Sequence, residues 1–331
     1  MTNDSVPNDS VPNGSVTNDS VAPPAAASRS SFVPVAPSAL AAAATLAAWA
    51  AQPYLPGGRD YISSLGIVPG WVPCAAGLLG LGAALAISRG VERRRPVVAV
   101  GWIASVLLLW AAVGVVFDGF RAFFRVTGIP AGDFAQVDWP GFLTRAAAFV
   151  ATVMLARTVL AYQRVTGTGC DRCGRTPDAE AWQAAWPAYA ACALASVYPA
   201  VKFSWWLGGG FGRPADFHET GVPVMSALLL AGSVLLALAL VRPWGRRLPR
   251  WLPLLAAWSL ASVHILQGLI PVFAGVNRLL GGPELPFGSE DDNFLVITAV
   301  YGSWSLFGLS LAAAVLSYGR RTRKECARCG H

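Results

Sequence analysis

Residues 160–175 read LAYQRVTGTGCDRCGR, and residues 316–331 read LSYGRRTRKECARCGH. Aligned without a gap at an offset of 156, Leu160 falls on Leu316, Tyr162 on Tyr318, Arg164 on Arg320, Thr166 on Thr322, Cys170 on Cys326, Arg172 on Arg328, Cys173 on Cys329 and Gly174 on Gly330. The same offset sets Arg94 on Arg250, Trp102 on Trp258, Phe117 on Phe273 and Gly119 on Gly275. Trp and Cys seldom coincide by chance, so the match predicts an internal duplication, and each half then constrains the reading of the other.

What is duplicated is membrane-like. The 331 residues are 54% hydrophobic and only 13% charged, with 13 Trp, and the mean hydropathy is +0.50. A soluble domain carries about 25% charge. Eight apolar stretches are long enough for a hydrocarbon core of about 30 Å. They lie near 33–55, 66–88, 96–117, 142–162, 184–207, 222–241, 251–273 and 294–317. In lipid each must be a helix, since an open strand edge would leave backbone groups unpaired. The predicted fold is therefore an all-α membrane protein with about eight transmembrane helices arranged as two four-helix units, 31–176 and 177–331. An even number of helices per unit inserts both copies the same way, giving a parallel repeat about an axis along the membrane normal.

Lys and Arg are retained on the cytoplasmic side. Seventeen lie on one predicted face, among them Arg89, Arg93, Arg94, Arg95, Arg242, Arg246, Arg247, Arg250, Arg320, Arg321, Arg323 and Lys324, against five on the other, Arg59, Arg121, Arg125, Arg213 and Arg278. The expected localisation is the cell inner (plasma) membrane, multi-pass, with both termini and both CxxC motifs cytoplasmic. This asymmetry accounts for the net charge of +7, so membrane lipids are the expected partners and no nucleic acid is. Residues 1–30, built on a repeated five-residue unit (TNDSVPNDSVPNGSVTNDSV, 2–21), are too polar and too rich in Pro to build a core, and a disordered tail is expected there. Its acidic, polar start is unlike a cleavable signal peptide.

Two CxxC pairs supply four thiolates, the usual set for a structural tetrahedral zinc. Each CxxCG segment resembles the knuckle of zinc ribbons and rubredoxin-like sites over about six residues, without the Pro often found after the first Cys. The resemblance implies one Zn2+ held by Cys170, Cys173, Cys326 and Cys329, clasping the two units at the cytoplasmic face. A thiol redox pair, a rubredoxin-like iron, two separate metals and idle thiols remain open beside it. A haem attachment would need His after the second Cys, where Gly174 and Gly330 stand. Cys74 and Cys192, alone in apolar stretches, read as small buried hydrophobes.

Ionisable residues inside a bilayer are costly and mark function. No Asp or Glu is expected deep in any helix, and Arg145 and Arg157 read as anchors that reach the interfaces. Lys202, in YPAVKFSWWLGGGFG, and His264, in SVHILQGLIPV, lie deeper. His264, Gln267 and Pro271 share a helix face by their spacing. Their counterparts 156 residues earlier are Leu108, Ala111 and Val115, which predicts a polar second unit beside an apolar first one. The expected ligand-binding residues are Lys202, His264 and Gln267, facing a small anion; the plainer reading is an outer anchor and interhelical hydrogen bonds.

The WWLGGGFG stretch, 205–212, resembles a motif of uncharacterised multi-pass integral membrane proteins of high-GC bacteria. The likeness covers mainly the second unit, and it implies the architecture and no chemistry. Paired carboxylates, HExxH and a Ser/His set are not visible in the sequence, so an enzyme is the less favoured reading and no catalytic residue is assigned. A nonenzymatic scaffold or sensor with a cytoplasmic zinc clasp needs the fewest unseen parts. The alternatives are a transporter or channel for a small anionic or lipid-like molecule and a membrane-bound thiol redox protein, and an unknown small-molecule or protein partner fits any of the three.

Overall fold

The computed structural model describes residues 33–57, 67–91, 94–167, 184–210, 213, 222–282 and 291–322. Every regular element among them is helical: α1 (Ala36–Ala51), α2 (Val72–Ser88), α3 (Arg94–Ala111), α4 (Val115–Thr127), α5 (Trp139–Val165), α6 (Trp186–Ala195), α7 (Val197–Trp206), α8 (Val224–Ala239), α9 (Trp251–Gly268), α10 (Ile270–Leu279) and α11 (Asp291–Arg321). Among the described residues three helical stretches, Arg94–Thr127, Trp139–Val165 and Trp251–Leu279, are long and apolar enough to cross a membrane, while Val72–Ser88 and Val224–Ala239 are shorter apolar helices. At 1.5 Å per residue the latter reach only about 25 Å, somewhat less than a hydrocarbon core. The N-terminal tail and the four CxxC cysteines lie outside the described residues.

A helix covers each of the eight apolar stretches, but the boundaries differ from those predicted, for local reasons. Three stretches are broken. The third is interrupted at Gly114, whose φ of 91° is a left-handed conformation that a glycine adopts freely, and α4 then carries the chain on to Thr127. The other two breaks sit just before a proline: α6 gives way to α7 at Ser196, three residues ahead of Pro199, and α9 to α10 at Leu269, two residues ahead of Pro271. A proline ring clashes with the preceding turn of helix, which favours a break in the residues just ahead of it.

The helices pack in the same circuit in both halves. In the first, α1 meets α2 and α5, and α3 meets α2 and α5; in the second, α6 meets α8 and α11, and α9 meets α8 and α11. Each circuit closes on a core of small and branched residues, Ala83, Leu108, Ala148, Leu155 and Val159 in one and Ala191, Ala257, Phe307, Leu311 and Val315 in the other. Individual bonds coincide as well. Arg94 donates from Nη2 to the Gln163 carbonyl at 3.3 Å, and Arg250 from Nη2 to the Gly319 carbonyl at 3.2 Å. The Thr166 hydroxyl bonds the Tyr162 carbonyl at 2.7 Å, and the Thr322 hydroxyl the Tyr318 carbonyl at 2.8 Å. All of these pairs are related by the offset found in the sequence.

The halves meet where their third helices are broken. Trp110, at the end of α3, stacks on Phe273 of α10 with centroids 5.3 Å apart and planes 14° from parallel. Its indole N–H donates to the Ile67 carbonyl at 2.9 Å, so both ends of the ring are held. Ile270, Phe273 and Ala274 thereby join the core of the first half.

Helix α4 is amphipathic inside out. Asp118 and Arg121 are buried, whereas Phe120, Phe123 and Val126 are 51%, 54% and 77% exposed. In water that arrangement would waste the burial of two aromatic rings and desolvate two charges; against lipid the same polarity lowers the free energy.

Candidate functional site

Arg145 stands in the second turn of α5, a position from which a long cation could reach the membrane surface. It does not do so. The side chain is buried and runs between two carboxylates: Nε donates to Asp118 Oδ2 at 2.5 Å and Nη2 to Asp138 Oδ2 at 3.3 Å. The expectations that Arg145 is an interface anchor and that the first half is an apolar scaffold are thus corrected. A guanidinium presents a planar fork of donors, and two acidic groups on different elements satisfy it better than a headgroup layer would.

Local sequence places each partner. Asp138 precedes Trp139 and Pro140, and Pro in the first turn marks a helix start; its Oδ1 caps α5 by accepting from the Gly141 N–H at 3.1 Å. Two turns further, Arg145 comes round to the same face. Asp118 lies in the first turn of α4, where the helix dipole favours an anion. Arg121, one turn on, is also buried and holds its guanidinium 5.4 Å from the Phe134 ring centre. Among the described residues the cluster holds two acids, Asp118 and Asp138, and two bases, Arg121 and Arg145.

The cluster borders a cleft at the end of the first half remote from Arg94. The cleft has a volume of about 70 Å³, and Trp49, Gln52, Val68, Pro69, Thr144 and Arg145 are among its lining residues. Trp49 donates its indole N–H to the Gly70 carbonyl at 2.8 Å, tying α1 to the chain that enters α2 and fixing one wall. The Thr144 hydroxyl is directed back to the Pro140 carbonyl at 3.0 Å.

In the second half the three predicted ligand residues take different surroundings. Lys202 on α7 is half-buried, with Nζ 4.8 Å from the Trp205 ring and 6.0 Å from the Tyr198 ring. His264 on α9 points towards α11, its ring 4.7 Å from Phe307 and 5.9 Å from Trp304, both edge-on, with Nδ1 2.9 Å from the Leu260 carbonyl. Tyr198 meets Trp304 edge-on at 5.3 Å. The aromatic pair Tyr198 and Trp304 therefore stands between the Lys202 and His264 environments. Gln267 is buried, and its Oε1 has no hydrogen-bond partner among the described residues. Ser305 Oγ on α11 is in the same condition.

Cys170, Cys173, Cys326 and Cys329 lie outside the described residues; among the described residues no three metal-ligating side chains come together. Cys74 and Cys192 are free thiols of intermediate burial. Arg157 is exposed, in keeping with an anchoring role.

The ionic cluster escaped the sequence reading because hydropathy scores treat Asp118 and Asp138 as loop residues at the end of an apolar run. The signal was present in two places: Asp-Trp-Pro-Gly reads as a helix cap, and Arg145 follows Asp138 at i+7, on the same helix face. No protein-family model, curated protein or solved structure matches the chain.

Proposed function

We propose that the chain is a nonenzymatic polytopic membrane protein, a scaffold or sensor built from two parallel four-helix units and clasped at its cytoplasmic face by one zinc ion. The observation that carries this reading is the pair of equivalent bonds from Arg94 to Gln163 and from Arg250 to Gly319. They support a reading in which the C-terminal ends of α5 and α11 are equivalent positions beside the arginine-rich loops. Each of these helices ends five residues before a CxxC, at Val165 before Cys170 and at Arg321 before Cys326. The inside-out polarity of α4 supports membrane insertion, and the distribution of Lys and Arg supports cytoplasmic termini.

Metal analysis of the purified chain tests the clasp. One zinc per chain is expected, and replacing either CxxC pair by serines should release all of it; half the metal retained would indicate two separate sites. A reporter fused after residue 331 should behave as cytoplasmic, and a periplasmic or extracellular response would overturn the orientation.

A second reading, as a transporter or channel for a small anionic or lipid-like molecule, is favoured by the buried Gln267 Oε1, which lacks a partner among the described residues, one turn from His264. A buried polar atom left unpaired costs about 1–3 kcal/mol, and a ligand that bonded it would recover that cost.

A further inference from the structure

We propose that Arg246 and Arg321, at the end of the second half where α8 and α11 finish, bind the phosphate of one anionic membrane lipid. The site rests on membrane insertion of the helices and needs neither the zinc clasp nor Lys202, His264 and Gln267.

Arg321 is the last residue of α11 and is half-buried. Its Nη2 donates to the Leu240 carbonyl at 2.9 Å, which closes the end of α8 and holds the guanidinium beside it. Nε is buried and has no hydrogen-bond partner among the described residues. A guanidinium carries five N–H donors, so most of the capacity of this one is unused. After α8 the chain turns through Pro243–Arg247. Gly245 is buried in that turn, and a Cβ there would collide with the Ala239 carbonyl. The turn therefore lies against the end of α8 and places the exposed Arg246 near Arg321. Burial, and after it the charge of Arg246, push the Arg321 guanidinium below its ordinary value. Both effects penalise the cation, and an anion between the two side chains offsets both.

No carboxylate among the described residues answers these charges. The described acids, Asp118, Asp133, Asp138, Asp291 and Asp292, belong to elements at the other end of the molecule. Arg242, with its guanidinium 5.8 Å from the Tyr189 ring centre, adds a third positive charge. The C-terminal dipoles of α8 and α11 bring about half a negative charge each, which balances about one of the three guanidiniums. The remainder attracts an anion, and a phosphate offers oxygens that two guanidinium forks can share.

The surrounding aromatic residues favour a lipid as the source of that phosphate. Trp186 opens α6, Trp244 stands in the turn and Trp251 opens α9, and all three are exposed. The Ser317 hydroxyl donates to the Ala184 carbonyl at 3.1 Å, so the start of α6 lies at the level of the end of α11. Exposed Trp and Tyr mark the headgroup layer of a membrane, and a basic pocket between helix ends at that depth meets lipid phosphates. The pair is particular to this half. At the repeat offset Arg246 falls on Gly90 and Arg321 on Val165. The first half carries Arg89 and Arg95 at its matching end, both exposed, and these provide a control for diffuse attraction.

Native mass spectrometry of the full chain in detergent, titrated with dioctanoyl phosphatidylglycerol, tests the site. One lipid should bind saturably, and Arg246→Gln/Arg321→Gln should weaken it about tenfold or more through the loss of charge-assisted bonds. Arg89→Gln/Arg95→Gln removes the same charge from the first half and should leave the affinity within about twofold, as screened surface charges do. Arg246→Gln alone changes an exposed side chain and should weaken binding about fivefold; it decides the matter if the double variant does not fold. Inorganic phosphate at the same concentration should leave the lipid bound, because it forgoes the burial of acyl chains. The proposal is overturned if the two double variants lose the lipid alike, if Arg246→Gln/Arg321→Gln binds it as the unaltered chain does, if dioctanoyl phosphatidylcholine binds as tightly, or if inorganic phosphate displaces the lipid and so marks a soluble ligand. Release of the chain from membranes by alkaline carbonate without detergent would overturn insertion itself, and that result is read with no lipid added.

Discussion

The two halves differ most where each surrounds the same tryptophan. Trp49 and Trp205 are separated by the repeat offset, yet Trp49 lines the cleft at Arg145 and Trp205 lies under the ammonium group of Lys202. In the first half the charges come from the third and fourth helical stretches, as Asp118, Arg121, Asp138 and Arg145; the corresponding residues of the second are Ala274, Asn277, Phe294 and Tyr301. In the second half the polar groups come from the first and third stretches, as Lys202, His264 and Gln267, against Leu46, Leu108 and Ala111. At the opposite end the halves share the Arg94/Arg250 bonds and the bonds of Thr166 and Thr322 to the Tyr162 and Tyr318 carbonyls. One end is alike in the two halves, and the other carries two unlike sets of polar groups.

The largest test of that contrast is the removal of Arg145. Arg145→Leu leaves two buried carboxylates facing one another and should destabilise the protein by about 3–5 kcal/mol. Lys202→Leu removes a half-exposed cation from an aromatic face and should cost about 0.5–1 kcal/mol. Denaturant unfolding of the detergent-solubilised chain reads both. Equal costs would mean that the two polar ends are energetically alike and that the ionic cluster is no structural keystone.

Smaller in effect is the close approach of α9 and α11. A Cβ on Gly308 would lie 2.8 Å from the Ala261 carbonyl oxygen and 2.9 Å from the Ile265 nitrogen, both backbone atoms that cannot turn aside. Gly308→Ala should therefore cost about 1–3 kcal/mol through overpacking. The corresponding residue of the first half, Thr152, already carries a side chain, with its hydroxyl on the Ala148 carbonyl. Thr152→Ala should be close to neutral, and a large effect there would show that the fourth helices are equally confined in both halves.

Below these come the matched arginines. Arg94→Ala removes an exposed charge-assisted bond to a carbonyl and should cost about 1 kcal/mol, whereas Arg250→Ala removes the matching bond together with one from Nε to Thr322 Oγ1 at 3.1 Å and should cost about 2 kcal/mol. The useful quantity is the difference between them. A loss in both halves, larger by about 1 kcal/mol at Arg250, supports a matched framework, while a loss confined to one half would break the equivalence at the end where it is strongest.

Much of the framework was legible because it rests on patterns that repeat over many residues. Apolar length marked where each helix falls, and Arg94, Tyr162 and Thr166 matched their counterparts in type. The breaks could be read from Pro199 and Pro271, although an apolar scan runs through them. The first-half site was hidden for a different reason. Arg145 at a helix end is compatible with snorkelling or with burial, and only the return of the chain through Asp138 and the left-handed turn at Gly114, which sets Asp118 on the inner face of α4, decides between them. Such a choice depends on contacts between elements, and no periodicity within one element encodes it.

The smallest expected effect distinguishes a vacant second-half site from a structural one. Gln267 is the counterpart of Ala111, a buried residue of the first core that also lines the cleft there. Its Oε1 has no bond among the described residues, so the amide contributes desolvation cost without the usual return. Gln267→Leu keeps the volume and removes that cost, and should leave stability unchanged or raise it by about 1 kcal/mol. If Gln267 serves a ligand, the same variant should lose any rise in melting temperature that an added anionic lipid gives the unaltered chain. His264→Phe, which keeps the ring contacts with Trp304 and Phe307, should then show a partial loss. A Gln267→Leu variant that is clearly destabilised with no lipid present would place a bond on Oε1 within the protein itself, and the polar groups of the second half would be interhelical fastenings.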